Sequence, residues 1–140
     1  MIEWDIMNGF TERAMRTVED NAEFFDADDR AYFFALSEAV SDPDKVDAYL
    51  ELVAGHPLSE PHFVALENIL FGRVDRGIEI LLENPSTGND WMELWLPEMK
   101  LLWERPQFKD LLENAGLISY WDEYGWPPQC ARDGEAVTCR

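Results

Sequence analysis

The strongest constraint on this 140-residue chain is that it resembles itself at a displacement of 30 residues. Phe33 matches Phe63, Ala35 matches Ala65, Leu36 matches Leu66, Val40 matches Leu70, Leu50 matches Ile80 and Leu52 matches Leu82. Three segments with turn chemistry fall at equivalent places, beginning at Gly9, Asp42 and Gly72, with spacings of 33 and then 30 residues. A period of this length marks a unit of two helices that buries its apolar face only by stacking on its neighbours. Ala35 and Ala65 are then the small residues at which two helices cross closely. Only about eight residues precede Gly9, too few for the first helix of a complete unit, so the array is expected to be cut or shortened at this end.

Local signals agree with helices at each position. Asp28 or Asp29 is placed to cap a helix through Phe33, Leu36 and Val40. Asp42 with Pro43 opens another, in which Val46, Tyr49, Leu50 and Val53 form one stripe until Gly55. Ser59 with Pro61 starts a third, carrying Phe63, Leu66, Ile69 and Leu70 as far as Gly72. The return helix places Val74, Ile78, Leu81 and Leu82 on one face. The cluster Asn84 to Asn89 is a turn, after which Asp90 caps a helix holding Trp91, Leu94 and Trp95. No segment alternates with period two for long enough to predict a strand.

Beyond this point the chain turns aromatic: five of its six tryptophans lie between Trp91 and Trp126. Phe108, Leu111, Leu112 and Ala115 recur at helical spacing. Pro106 starts that helix, and Gly116 ends it in a left-handed conformation with Leu117 folding back on the last turn. A second short helix carries Trp121 and Tyr124 up to Gly125, with Leu117, Trp121 and Tyr124 on the side facing Phe108 and Leu112.

This stretch, with its Pro106-Gln107-Phe108 run and following leucine pair, its Ala115-Gly116-Leu117-Ile118-Ser119-Tyr120-Trp121 segment and its Gly125-Trp126-Pro127-Pro128-Gln129-Cys130 ending, resembles the C-terminal tail of bacterial tetratricopeptide-type (TPR) repeat regions. Such regions stand behind winged-helix transcription regulators and adenylate or guanylate cyclases. The family has an acidic residue before the proline and an arginine after it, where this chain has Arg105 and Gln107, a departure that leaves the packing pattern intact. The resemblance covers about a quarter of the chain and brings no catalytic residues with it. The repeats depart from the standard unit in length, and Asp47 stands where a small residue is expected. They are TPR-like and degenerate.

The resulting expectation is an all-α chain, a TPR-like right-handed superhelix of helical hairpins with an aromatic C-terminal cap. It forms a single domain over 1–140, with repeats over about 1–90, capping helices over 91–130 and a tail over 131–140. The cap comprises Trp103, Phe108, Leu112, Trp121, Tyr124 and Trp126 together with Trp91 and Trp95, because the last unit of a stack exposes an apolar face that must be covered. A ligand pocket lined by the same rings is the alternative.

Charge restricts the partners. The chain has 29 acidic against 11 basic side chains, a formal net charge of −18, and residues 1–60 hold 15 acids and 4 bases. Such a field repels phosphate backbones and anionic lipid, so nucleic acid and membrane surface are poor partners, while basic proteins and peptides are steered inward. No run approaches the about 18 to 20 apolar residues of a membrane span. Acids stand near the start, where a secretory signal needs bases. The expected location is the cytoplasm for a complete chain, and the periplasm for a fragment of a membrane-anchored regulator.

No residue pattern points to catalysis. Asp26-Ala27-Asp28-Asp29 lacks the glycine and distal glutamate of a calcium loop and reads as helix capping. His56 and His62, with Glu60 between them, lack further zinc ligands and read as surface residues. There is no G-x-S-x-G and no phosphate-cradling glycine loop, so no catalytic group, metal or cofactor is expected. Cys130 and Cys139 enclose a short polar loop. They stay reduced in a cytosolic chain and form a bridge in an oxidising compartment, as in the periplasmic repeat domains of membrane-anchored relatives.

The function expected is non-enzymatic: a scaffold whose first helices present a concave face to a partner peptide or protein, most readily a basic one. Repeat alignment gives its candidate residues as Arg30, Tyr32, Ser37, Glu38, His62, Glu67 and Asn68, all expected to be exposed. The alternative is a sensory domain that binds a small molecule and regulates an attached winged-helix or cyclase domain.

Overall fold

The computed structural model describes residues 2–56, 59–85 and 95–140. Met1–Ser59 and Glu60–Arg140 are each a compact unit. In the first, α1 (Ile2–Met7) and α2 (Thr11–Asp20) pair, as do α3 (Ala27–Ser41) and α4 (Val46–Gly55), and α1 also lies against α3. The chain reverses between α1 and α2 at Gly9, whose φ of +82° is a left-handed value open to glycine without a Cβ clash.

The short stretch before Gly9 winds into a helix of only six residues. So short a helix has no stability of its own, since nucleation outweighs the few hydrogen bonds it gains. Tertiary contacts hold it: Ile6 is fully buried, and the nearly buried Asp5 carboxylate pairs with Arg13 of α2. The Arg13 side chain gives a second hydrogen bond from Nε to Asp5 Oδ2 at 2.9 Å. Ala14, Val18, Leu36, Ala39, Val46, Tyr49, Leu50 and Val53 complete this core.

The cap of α3 falls earlier than the sequence suggests. Asp26, rather than Asp28 or Asp29, stands at the N-cap and accepts from the amides of Asp28 at 2.8 Å and Asp29 at 2.9 Å. Asp29 returns the favour by accepting from the Asp26 amide at 3.2 Å, which closes a capping box. Asp42 caps the next element as expected, accepting from the Asp44 amide at 3.0 Å, although Pro43–Lys45 winds as a 3-10 turn before α4 begins.

The second unit opens with the hairpin of α5 (Pro61–Leu70) and α6 (Val74–Glu83), reversing at Gly72 with φ +79°. Pro61 sits in the first turn of α5, but Glu60 rather than Ser59 holds the N-cap place, and its side chain makes no capping bond. Ala65 does stand at a close crossing: a Cβ added to Gly77 would lie 2.8 Å from the Ala65 carbonyl oxygen and 2.5 Å from Ile69 Cγ1. Asn84 and Pro85 are described. The rest of the expected turn, Ser86 to Asn89, and the expected helix start at Asp90, Trp91 and Leu94 lie outside the described residues.

A 3-10 turn at Pro97–Met99 then leads into α7 (Lys100–Trp103), α8 (Phe108–Asn114) and α9 (Leu117–Tyr124). Gly116 is left-handed, with φ +73°, as its place after the Phe108 stripe predicts. Their buried faces join those of α5 and α6 in one core that includes Ile69, Ile78, Met99, Leu102, Phe108, Leu111, Leu112, Ile118 and Trp121.

The chain does not end in a loop. Residues Cys130–Asp133 (β1) and Ala136–Cys139 (β2) form an antiparallel hairpin turning through Gly134 and Glu135, against the expectation of no strand. Four-residue strands are too short to show a period-two signature, and a lone two-stranded hairpin is marginal in water. This one is fastened by packing of Cys130, Val137, Cys139 and Trp126 on the core and by a disulfide between the directly opposed Cys130 and Cys139. The described residues are otherwise mostly helical, and no described helix is long and apolar enough to cross a membrane.

Candidate binding face

The sequence-derived face divides between the two units. Arg30, Tyr32, Ser37 and Glu38 lie on α3, and His62, Glu67 and Asn68 lie on α5.

On α3, Arg30 and Glu38 are exposed and stand eight positions apart, with Phe34 midway. Spacing of four puts these three on one side of the helix, so Phe34, 57% exposed, is an apolar residue between two opposite charges. Tyr32 is half-buried. Its ring meets Phe33 and Tyr49 at centroid distances of 5.3 and 5.8 Å, and its hydroxyl donates to Glu3 Oε1 at 3.1 Å. That last bond joins α3 to α1, the two first helices of this unit.

Ser37 corrects the sequence reading. It is buried, and its hydroxyl donates back to the Phe34 carbonyl at 2.7 Å. A hydroxyl that satisfies itself on its own helix needs no solvent, so a polar identity here does not predict exposure.

Glu67 and Asn68 correct it again, being only 8% and 7% exposed. Asn68 Nδ2 donates to the Val64 carbonyl at 2.8 Å, the same inward solution. Ala65, Leu66, Glu67, Asn68 and Ile69 are all buried in succession, more than one full turn. A helix covered all round offers no polar face, and α5 packs against both α6 and the Pro97–Met99 turn. His62 is half-buried rather than on the open surface, as is His56 of the first unit.

The aromatic group forms a chain of rings in the second unit. Trp95 meets Trp103 at 6.0 Å, Phe108 at 5.8 Å and Trp121 at 6.1 Å, and Trp121 meets Trp126 at 5.3 Å. Phe108, Leu112 and Trp121 are buried, while Trp103 and Trp126 are half-buried. Trp126 Nε1 donates to Asp122 Oδ1 at 3.1 Å, and the other Asp122 oxygen pairs with Arg132 of β1. Tyr124 is a correction: it is 67% exposed and lies against Tyr120, one turn back on the surface of α9, at 4.8 Å. Ile118 and Trp121 supply the inward face instead. Trp91 lies outside the described residues.

Electrostatics add little chemistry. Asp26 has its pKa lowered, first by the hydrogen bond from the Asp29 amide, then by that from Asp28, with smaller help from the charges of His56 and Arg30. The hydrogen bond from Arg13 to Asp5 raises the Arg13 pKa further above an already basic value. Among the described residues no group of three or more His, Cys, Asp and Glu side chains is gathered to hold a metal ion.

Sequence reasoning missed the exposed rings of the first unit. Trp4, Phe10, Phe24 and Phe34 all stand well out to solvent. A signal was present for one of them: Phe33-Phe34 is an adjacent pair on α3, and neighbours about 100° apart around a helix do not share one buried stripe. Phe33 turns inward, against Phe25 at 5.6 Å, and Phe34 is left outside.

No protein-family model, curated protein or solved structure matches the chain.

Proposed function

We propose that this chain is a non-enzymatic protein–protein interaction module of the TPR-like kind, a right-handed superhelical array of helical hairpins whose first helices receive a basic peptide or protein segment. The observation that carries the reading is the exposed Arg30, Phe34 and Glu38 stripe of α3, an apolar anchor between charged residues on a unit rich in acids. Hairpin repetition at about 30 residues supports the array, and the bond from Tyr32 to Glu3 supports adjacent first helices, the arrangement on which an extended partner lies.

With 15 acids against 4 bases in residues 1–60, association is steered toward cationic partners and weakens as salt screens the field. Isothermal calorimetry with lysine- and arginine-rich peptides at low and high sodium chloride tests this. Binding of basic peptides that weakens with salt is expected. Preference for acidic peptides, or binding indifferent to salt, removes the electrostatic part of the reading, and no binding of either class removes the whole of it.

A further inference from the structure

One exposed surface in the first unit is built rather than incidental. Trp4 and Met7 lie one turn apart on α1, and Phe10 follows at the reversal into α2. Their exposures are 58%, 38% and 49%. The Trp4 and Phe10 rings stack with centroids 6.2 Å apart and planes inclined by 22°. Over the Phe10 ring sits the guanidinium of Arg13, with its carbon 4.7 Å from the centroid. Asp5, itself almost buried, holds that guanidinium through two hydrogen bonds. The Phe10 amide donates to the Asp5 carbonyl at 2.7 Å, so the turn is tied to the same residue.

Exposed side chains usually lose rotamer freedom when a partner orders them, and that loss opposes binding. Here the ordering is already done by Asp5 and Arg13. Phe24 and Phe34, also exposed, make no ring contact among the described residues. The Trp4 indole N–H likewise has no acceptor among them, which leaves a large amphipathic ring with a donor to offer, the composition of an interface hot spot.

Charge selects what covers this platform. A second copy brings the same net charge of −18 and is repelled, as are nucleic acid and anionic lipid. Within residues 1–60 Arg13 is one of only four basic side chains and is already paired, while Glu3 and Glu12 flank the rings in sequence. A cation meeting an indole face gains from the ring quadrupole, most of all with tryptophan.

We propose that the Trp4, Met7 and Phe10 platform is the principal anchor for the partner, a cationic amphipathic protein segment that sets an apolar side chain and a lysine or arginine against the Trp4 ring. This rests on the reading of the chain as a binder of basic segments, and it names which part of the first-helix surface carries the affinity.

The test is fluorescence anisotropy of a labelled peptide of repeated Lys-Ala-Leu-Lys units, with its Glu-Ala-Leu-Glu counterpart as control, against the full chain and its Trp4→Ala, Phe10→Ala and Phe34→Ala variants. Circular dichroism checks the fold of each; Trp4→Phe, which keeps an aromatic ring, guards against a folding defect in Trp4→Ala. The platform predicts about tenfold weaker binding for Trp4→Ala and Phe10→Ala, most of it regained in Trp4→Phe, and a smaller loss for Phe34→Ala. Binding to the parent chain that survives both Trp4→Ala and Phe10→Ala overturns the platform and leaves the wider reading standing. Failure of the parent chain to bind the basic peptide overturns both.

Discussion

Replacing Gly77 by alanine pits two effects of opposite sign against each other at one position. Gly77 lies inside α6, where alanine is the better helix former by about 1 kcal/mol. On propensity alone the substitution stabilises. The structure predicts the reverse, because the new methyl carbon would stand 2.5 Å from Ile69 Cγ1, 2.8 Å from the Ala65 carbonyl oxygen and 3.1 Å from Ile69 Cδ1. Optimal separations between carbon atoms are about 3.5 to 4.0 Å. Ile69 is buried, and its branched Cβ leaves it essentially one χ1 rotamer in a helix, so Cγ1 has little room to retreat. The Ala65 oxygen belongs to the α5 backbone and moves only with the helix. Relief therefore requires α5 and α6 to part, and a gap of about 0.5 to 1 Å forfeits a quarter to a half of each dispersion contact along the seam.

Overpacking of this kind costs about 1 to 3 kcal/mol. Two of the three contacts lie under 3.0 Å and one of those is with backbone, so the cost falls in the upper part of that range, about 2 to 3 kcal/mol, and less the propensity gain a net loss of about 1 to 2 kcal/mol remains. Urea unfolding followed by tryptophan fluorescence reads it directly, since five of the six tryptophans lie in 91–126 and so report on the second unit. With a slope of about 1 to 2 kcal/mol per molar, the midpoint should fall by about 1 M. An unchanged or raised midpoint would refute the close crossing. Adding Ile69→Ala should lower the further cost of Gly77→Ala without abolishing it, as the collision with Ala65 stays.

Trp121→Ala should destabilise the second unit by about 3 to 5 kcal/mol, the range for a large buried aromatic, whereas Tyr124→Ala should leave the urea midpoint nearly unchanged. For the bridged hairpin, intact mass after alkylation without reductant should show no modified thiol, and Cys139→Ser should cost about 2.5 kcal/mol for a loop of this size. Asp26 has a lowered pKa in the folded chain. Its contribution is thus fully present above the ordinary carboxylate value of about 3.9 and is lost as pH falls through the lower folded value; Asp26→Ala should flatten that part of the acid-unfolding curve measured by circular dichroism.

What the sequence determined by itself is the placing of helices and reversals, because those depend on neighbours along the chain. Gly9 and Gly72 end up left-handed, Asp42 caps, Pro61 opens α5, and Gly116 closes the Phe108 stripe, each through the conformation of one or two residues. Apolar periodicity also found most of the buried residues of α4, α6 and α8. Tertiary structure decided which polar residues face inward. Ser37 and Asn68 are buried because each satisfies a hydrogen bond on its own helix, and nothing in a serine or an asparagine announces that choice. Glu67 is buried where α5 packs against its hairpin partner α6 and the Pro97–Met99 turn. The hairpin of β1 and β2 depends on packing and a bridge, the former absent from any local propensity. The Trp4 and Phe10 platform exists because Asp5, buried by the contact between α1 and α2, fixes Arg13 over a ring. Helix placement is a short-range property of a chain, whereas burial is set by what else the folded chain brings alongside.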